Sequence, residues 1–138
     1  MKLYLAGPMR GYPDHNETAF IAAAAQLRGL GHEVFSPVEH TRAVYGDDIL
    51  KGSQGSEEVL KKQGFRLRAA MAADLEWICT AADGLALLPG WKASKGAMAE
   101  YHTAVALGLV VLEQHAFGWR RLTKRARKKK TGLALEAA

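Results

Sequence analysis

Apolar residues fall along this chain in short blocks separated by polar, glycine-bearing segments. KLYLA (Lys2 to Ala6) has the length of a strand and stops at Gly7-Pro8. Asn16 is placed to cap a helix that runs to about Leu30, with Phe20, Ile21, Ala24 and Leu27 on one face and Gly29 and Gly31 at its end. EVFSP (Glu33 to Pro37) reads as a second strand stopped by proline. Val38 to Gly55 is polar, has no clear period and is expected to be a long loop. From Ser56 a helical pattern continues to about Ala81. GLALL (Gly84 to Leu88) is a third strand, Ala97 to Leu107 a further helix stopped by Gly108, and LVVLE (Leu109 to Glu113) a fourth strand. Strands alternating with helices imply a parallel sheet with crossover helices. The expectation is one α/β domain over residues 1–118, with a mostly parallel sheet of four or five strands. In open sheets of this kind ligands bind at the carboxyl ends of the strands. Gly7 to Gly11, Pro37 to His40 and Pro89 to Glu100 are expected to meet there.

Charge refines this division. The net charge is +5, but eight of the nineteen basic residues lie between Trp119 and Lys130, a stretch without an acid. Without them, eleven basic residues face fourteen acidic ones, a net of −3. The body is mildly acidic, and residues 119–138 read as a basic C-terminal tail. Such a block is usually solvated, and nucleic acid is expected as a partner only through it. Hydrophobic content of 49% and charged content of 24% suit a globular protein. No apolar run approaches membrane-spanning length, and the N-terminus reads as a strand, not a signal peptide. The single cysteine, Cys79, excludes an internal disulfide framework; its Ala-rich surroundings predict a buried, inert thiol. A reducing, cytoplasmic setting is expected.

Three segments could carry chemistry. SKGAMAE (Ser94 to Glu100) opens a helix after an apolar strand, and the free N–H groups of a helix N-terminus form an anion site. Glu100 lies in its first turns, either facing what the loop binds or solvated. AGPMRG (Ala6 to Gly11) has two glycines that admit close approach to a ligand, and Arg10 is able to fork onto a phosphate. In DLEWICTAAD (Asp74 to Asp83), Asp74 falls on the apolar stripe of Met71, Leu75 and Ile78, either as an inward acid or at the stripe edge in water. Glu57, Glu58 and Glu76 are expected to be solvated. The five histidines lack metal-ligand spacing, and Walker A and GxGxxG sequences are missing, so neither metal nor cofactor is expected.

AGPMRG, DLEWICTAAD and SKGAMAE, in this order, resemble the nucleoside 2-deoxyribosyltransferase-like superfamily. Within it the chain is most similar to 2′-deoxynucleoside 5′-phosphate N-hydrolases and small phage-type relatives, over about Lys2 to Glu113. The resemblance implies a Rossmann- or flavodoxin-like fold, with Glu100 as carboxylate nucleophile, Asp74 working with the leaving base or the sugar, and Tyr4 helping to set the nucleophile. It places phosphate-loop positions on Gly7, Met9, Arg10, Gly11, Ser94 and Gly96. It also implies a homodimer or higher homo-oligomer. Two residues depart from the pattern: Pro8 stands where phosphate-binding relatives often have serine, and His102 where many have glycine. LPGWKASKGAMAE bears a fainter likeness to the lysine-decarboxylase-like phosphoribohydrolases, against which the DLEW helix argues.

The expected function is hydrolysis of the N-glycosidic bond of a 2′-deoxyribonucleoside 5′-monophosphate to free base and deoxyribose 5-phosphate. A deoxyribosyltransferase and a non-catalytic nucleotide-binding module are the alternatives. The base pocket is expected to draw on the Val38 to Gly55 loop and on Trp91 or Trp77.

Overall fold

The computed structural model describes residues 1–122. The chain forms β1 (Lys2–Ala6), α1 (Glu17–Gly29), β2 (Glu33–Phe35), α2 (Pro37–Tyr45), α3 (Glu57–Lys62), α4 (Leu67–Thr80), β3 (Gly84–Leu87), α5 (Lys95–Ala106), β4 (Val110–His115) and β5 (Gly118–Arg121). The strands lie in one sheet in the order β2-β1-β3-β4-β5. β2, β1, β3 and β4 run parallel, and β5 returns antiparallel along β4. Succession reverses direction at β1, because β2 lies on one side of it and β3 on the other. That switch point opens a crevice beyond the carboxyl ends of β1 and β3.

The period of two along β1 decides which side chain meets which helix. Leu3 and Leu5 face one way, into a core with Phe20, Ala24 and Leu27 of α1 and with Leu60 of α3. Tyr4 and Ala6 face the other way, into a core with Ile78 of α4 and Ala97 and Ala104 of α5. Tyr4 is therefore delivered to the layer that carries Asp74 and Glu100. At the end of β1 the strands pack so closely that a Cβ on Gly7 would lie 2.7 Å from that of Leu88. Asp83 ties the opposite ends of the strands together: its carboxylate accepts from Lys2 N at 2.7 Å, and its carbonyl accepts from Val110 N.

Several boundaries depart from expectation. The helix predicted from Ser56 to Ala81 is two helices, because Gly64 turns the chain at φ +94°. The segment from Val38 is not all loop: Pro37 ends β2 but also starts α2, since proline fits the first helical turn. Asn16 adopts a left-handed conformation, and its side chain caps nothing in α1. On α1 Ala23 is buried and Ile21 is 42% exposed. Cys79 is exposed, not buried, because it lies next to the inward Ile78 and so points off the stripe. The predicted tail begins inside the sheet. Trp119 Nε1 donates to Gln26 Oε1 at 3.0 Å, and Arg120 pairs with Glu113. The remaining tail residues, 123–138, lie outside the described residues. Among the described residues no helix is long and apolar enough to cross a membrane.

Candidate functional site

A cavity of about 540 Å³ occupies the crevice at the switch point. Its size falls within the roughly 300–1,000 Å³ of small-molecule sites. Tyr4, Asp74 and Glu100 lie on its wall together with Gly7, Met9, Arg10, Ser94 and Gly96. Eight of the nine positions predicted for the site are thus gathered from β1 and the segment after it, from α4, and from the cap and first turns of α5. Gly11 is the exception. It is exposed, does not line the cavity, and spends its N–H on the carbonyl of Gly55 at 3.1 Å.

The acid cluster forms the floor. Glu100 is 8% exposed, and burial pushes its carboxyl up to about 8. Desolvation, the dominant cause, disfavours the charged form, and the neighbouring Asp74 adds to it. Asp74 Oδ1 is buried without a partner, and burial raises that carboxyl to about 6. Asp74 is therefore an inward acid and not a stripe-edge one. Tyr4 is fully buried, which keeps its hydroxyl neutral, and both carboxylates reinforce that. The hydroxyl completes no hydrogen bond, yet it comes close enough to both carboxyls to counter part of their rise. Its ring is held from behind: Phe35 stacks on it at 5.5 Å and Trp77 lies at 6.5 Å.

The N-terminus of α5 contributes to the cavity wall. Ser94 caps it, its Oγ accepting from Ala97 N at 3.2 Å, which leaves the N–H groups of Lys95 and Gly96 without intrahelical partners. A Cβ on Gly96 would meet nothing within 4 Å, so the glycine keeps open space in front of these donors. Lys95 adds a cation there.

A second polar group of lining residues comes from the segment after β1 and from α3. Arg10 forms an ion pair with Glu57, the first residue of α3. Glu57 is therefore not simply solvated, and Arg10 is not a free cation. His15 is buried at 3% exposure; its Nδ1 lies 2.5 Å from Ser53 Oγ, and its Nε2 is buried without a partner. Both His15 and Glu57 line the cavity and were missed by sequence reasoning. A usable signal was PDHN (Pro13 to Asn16), three consecutive residues of the types that tolerate left-handed backbone. Asp14, His15 and Asn16 all have positive φ, at 49°, 53° and 63°.

Trp77 and Trp91, expected to contribute to a base pocket, do not line the cavity. Trp91 is buried against Tyr101 and donates to Glu113 Oε2 at 3.1 Å, while Trp77 backs Tyr4. Thr41 and Leu50, from the segment expected to contribute, do line the cavity, with Leu60, Phe65, Ala70 and Met71 extending its apolar wall. His102 is exposed and leaves the cavity unchanged. Among the described residues no group of three or more His, Cys, Asp or Glu is arranged to hold a metal ion.

The sequence matches a family described as a domain of unknown function (DUF4406) over residues 1–113. No curated protein and no solved structure matches it.

Proposed function

The chain belongs to the DUF4406 family, and from the cavity that its residues 1–113 build we propose that it hydrolyses the N-glycosidic bond of a 2′-deoxyribonucleoside 5′-monophosphate. The observation that carries this reading is the acid cluster. Two carboxyls raised by desolvation to about 6 and about 8 line one cavity with a neutral tyrosine hydroxyl. Between those two values the pair holds one proton, which is the state the chemistry requires: one carboxylate and one acid. The likeness of AGPMRG, DLEWICTAAD and SKGAMAE to nucleoside deoxyribosyltransferase-like enzymes assigns the roles.

The deeper burial of Glu100 favours the proton there, so Glu100 passes it to Asp74 before attack, and the Tyr4 hydroxyl, which acts on both acids, is the group to relay it. The Glu100 carboxylate then bonds to C1′ as the C1′–N bond breaks. The bonding pair goes to the base nitrogen, which takes the proton from Asp74. Water attacks C1′ and gives a proton to Asp74, and the C1′–Glu100 bond breaks to free deoxyribose 5-phosphate. The phosphate sits at the N-terminus of α5. Ser94 precedes Glu100 by six residues, about 9 Å of helix at about 1.5 Å per residue, a span that fits a sugar phosphate.

The test is incubation with a panel of 2′-deoxynucleosides and their 5′-monophosphates, scored for released base with and without an acceptor base. Base and sugar phosphate released from nucleotides without acceptor supports the hydrolase. Turnover only with an acceptor makes the protein a transferase, and binding without release makes it a nucleotide-binding module.

A further inference from the structure

The part of the cavity wall formed by Arg10, His15 and Glu57 is more constrained than a solvated corner requires. Three successive residues without glycine are held at positive φ, each at a conformational cost. Each is tied down from outside its own turn. Asp14 Oδ1 accepts from Gly52 N at 2.8 Å, Asn16 Nδ2 donates to the Pro8 carbonyl at 2.9 Å, and His15 Nδ1 meets Ser53 Oγ. The outcome is one buried imidazole nitrogen, Nε2, left without a partner on a residue that lines the cavity. A buried polar atom left unpaired costs free energy unless a ligand satisfies it.

The chemistry of the corner is that of an uncharged heterocycle. Arg10 is already neutralised by Glu57, and a carboxylate at this place repels a phosphate. Burial lowers the pKa of His15 and so favours its uncharged imidazole. The Ser53 hydroxyl is able to donate or accept, so Nε2 is presented as acceptor or donor to suit its ligand. A guanidinium that only donates, a carboxylate that only accepts and an imidazole that does either, beside the apolar Leu50 and Leu60, match the mixed edge of a nucleobase. The anion-binding features are separate groups of the same cavity, on α5.

We propose that His15, together with the Arg10–Glu57 pair, determines base specificity by hydrogen bonding to the edge of the nucleobase, with the phosphate held by α5. This deepens the proposed function and rests on it. It moves Arg10 from the phosphate role that the family likeness implies to the base.

The experiment compares wild type with His15→Ala and Glu57→Gln on 2′-deoxynucleoside 5′-monophosphates of all four bases and on the matching nucleosides. Each variant is expected to change the ranking of bases in kcat/KM by roughly tenfold, the loss of about one hydrogen bond. The ratio of nucleotide to nucleoside for any one base is expected to stay within about threefold of wild type. A shift in that ratio with the base ranking unchanged makes the corner a phosphate site and overturns the inference, as does no shift in either. Where His15→Ala melts early, Glu57→Gln alone decides, because Glu57 is partly exposed at the start of a helix. If wild type releases no base from any substrate, the proposed reaction fails. The inference is then decided by calorimetric binding of the same nucleotides: base-dependent affinity lost in Glu57→Gln upholds it, and base-independent affinity or no binding overturns it.

Discussion

At the scale of single residues, the cavity is governed by the cost of burying charge. Glu100→Gln keeps the shape of the side chain and removes both the nucleophile and the titration. Turnover is expected to fall to background in base-release assays, while the circular dichroism spectrum is retained. Stability is expected to move with pH in a definite sense. Burial raises the folded-state value of Glu100 to about 8 from its ordinary value of 4.5. Its contribution to stability is therefore complete below about 4.5 and lost as pH rises through about 8. The variant should gain on wild type across that window, on the order of a few kcal/mol at its upper end. Denaturant melts at pH 5 and pH 8.5 check this; an equal difference at both would mean that Glu100 titrates like a solvated acid. Tyr4→Phe removes only a hydroxyl that completes no hydrogen bond. It is expected to lower kcat by roughly ten- to a hundredfold with little change in melting temperature, because the group acts in proton transfer. An unchanged kcat would take Tyr4 out of the relay.

At the scale of elements, legibility followed periodicity. β1, β3 and α5 were readable because each has one apolar face or a short apolar block with a clear stop. They bring Tyr4, Gly7, Ser94 and Glu100 to the switch point. The break in the Ser56–Ala81 helix was not readable from the apolar pattern, which continues across Gly64. It matters because α3 places Glu57 and Leu60 in the cavity wall and α4 places Asp74 there. Gly64→Ala should destabilise the fold by about 1 kcal/mol, the penalty of a side chain at positive φ. A Cβ at this position meets nothing within 4 Å, so the cost is conformational and not steric. Chemical denaturation measures it; no change would show that the two helices join through another conformation. His15 was unreadable for a different reason. Its importance lies in a contact with Ser53, thirty-eight residues away, and no local pattern encodes that pairing.

At the scale of the whole molecule, the question is where the working unit ends. The charge pattern put the boundary after residue 118, because basic residues begin at Arg120. The sheet puts it later. Gly118–Arg121 pairs with β4 from Leu112 to His115, and Leu122 N donates to the Val111 carbonyl at 2.8 Å. Two truncations separate these readings. A chain ending at Gly118 loses β5, the Trp119–Gln26 hydrogen bond and the Arg120–Glu113 ion pair, and leaves the edge of β4 unpaired. It should melt earlier and associate through that edge. A chain ending at Leu122 keeps the whole described structure, and every cavity residue lies before position 101. It should keep the melting temperature and turnover of the full chain and lose only weak, salt-sensitive affinity for nucleic acid, since six of the eight clustered basic residues are removed with it. Thermal melts and base-release rates on the two truncations decide the matter. A loss of turnover in the chain ending at Leu122 would make residues 123–138 part of the site and move the boundary of the working unit beyond β5.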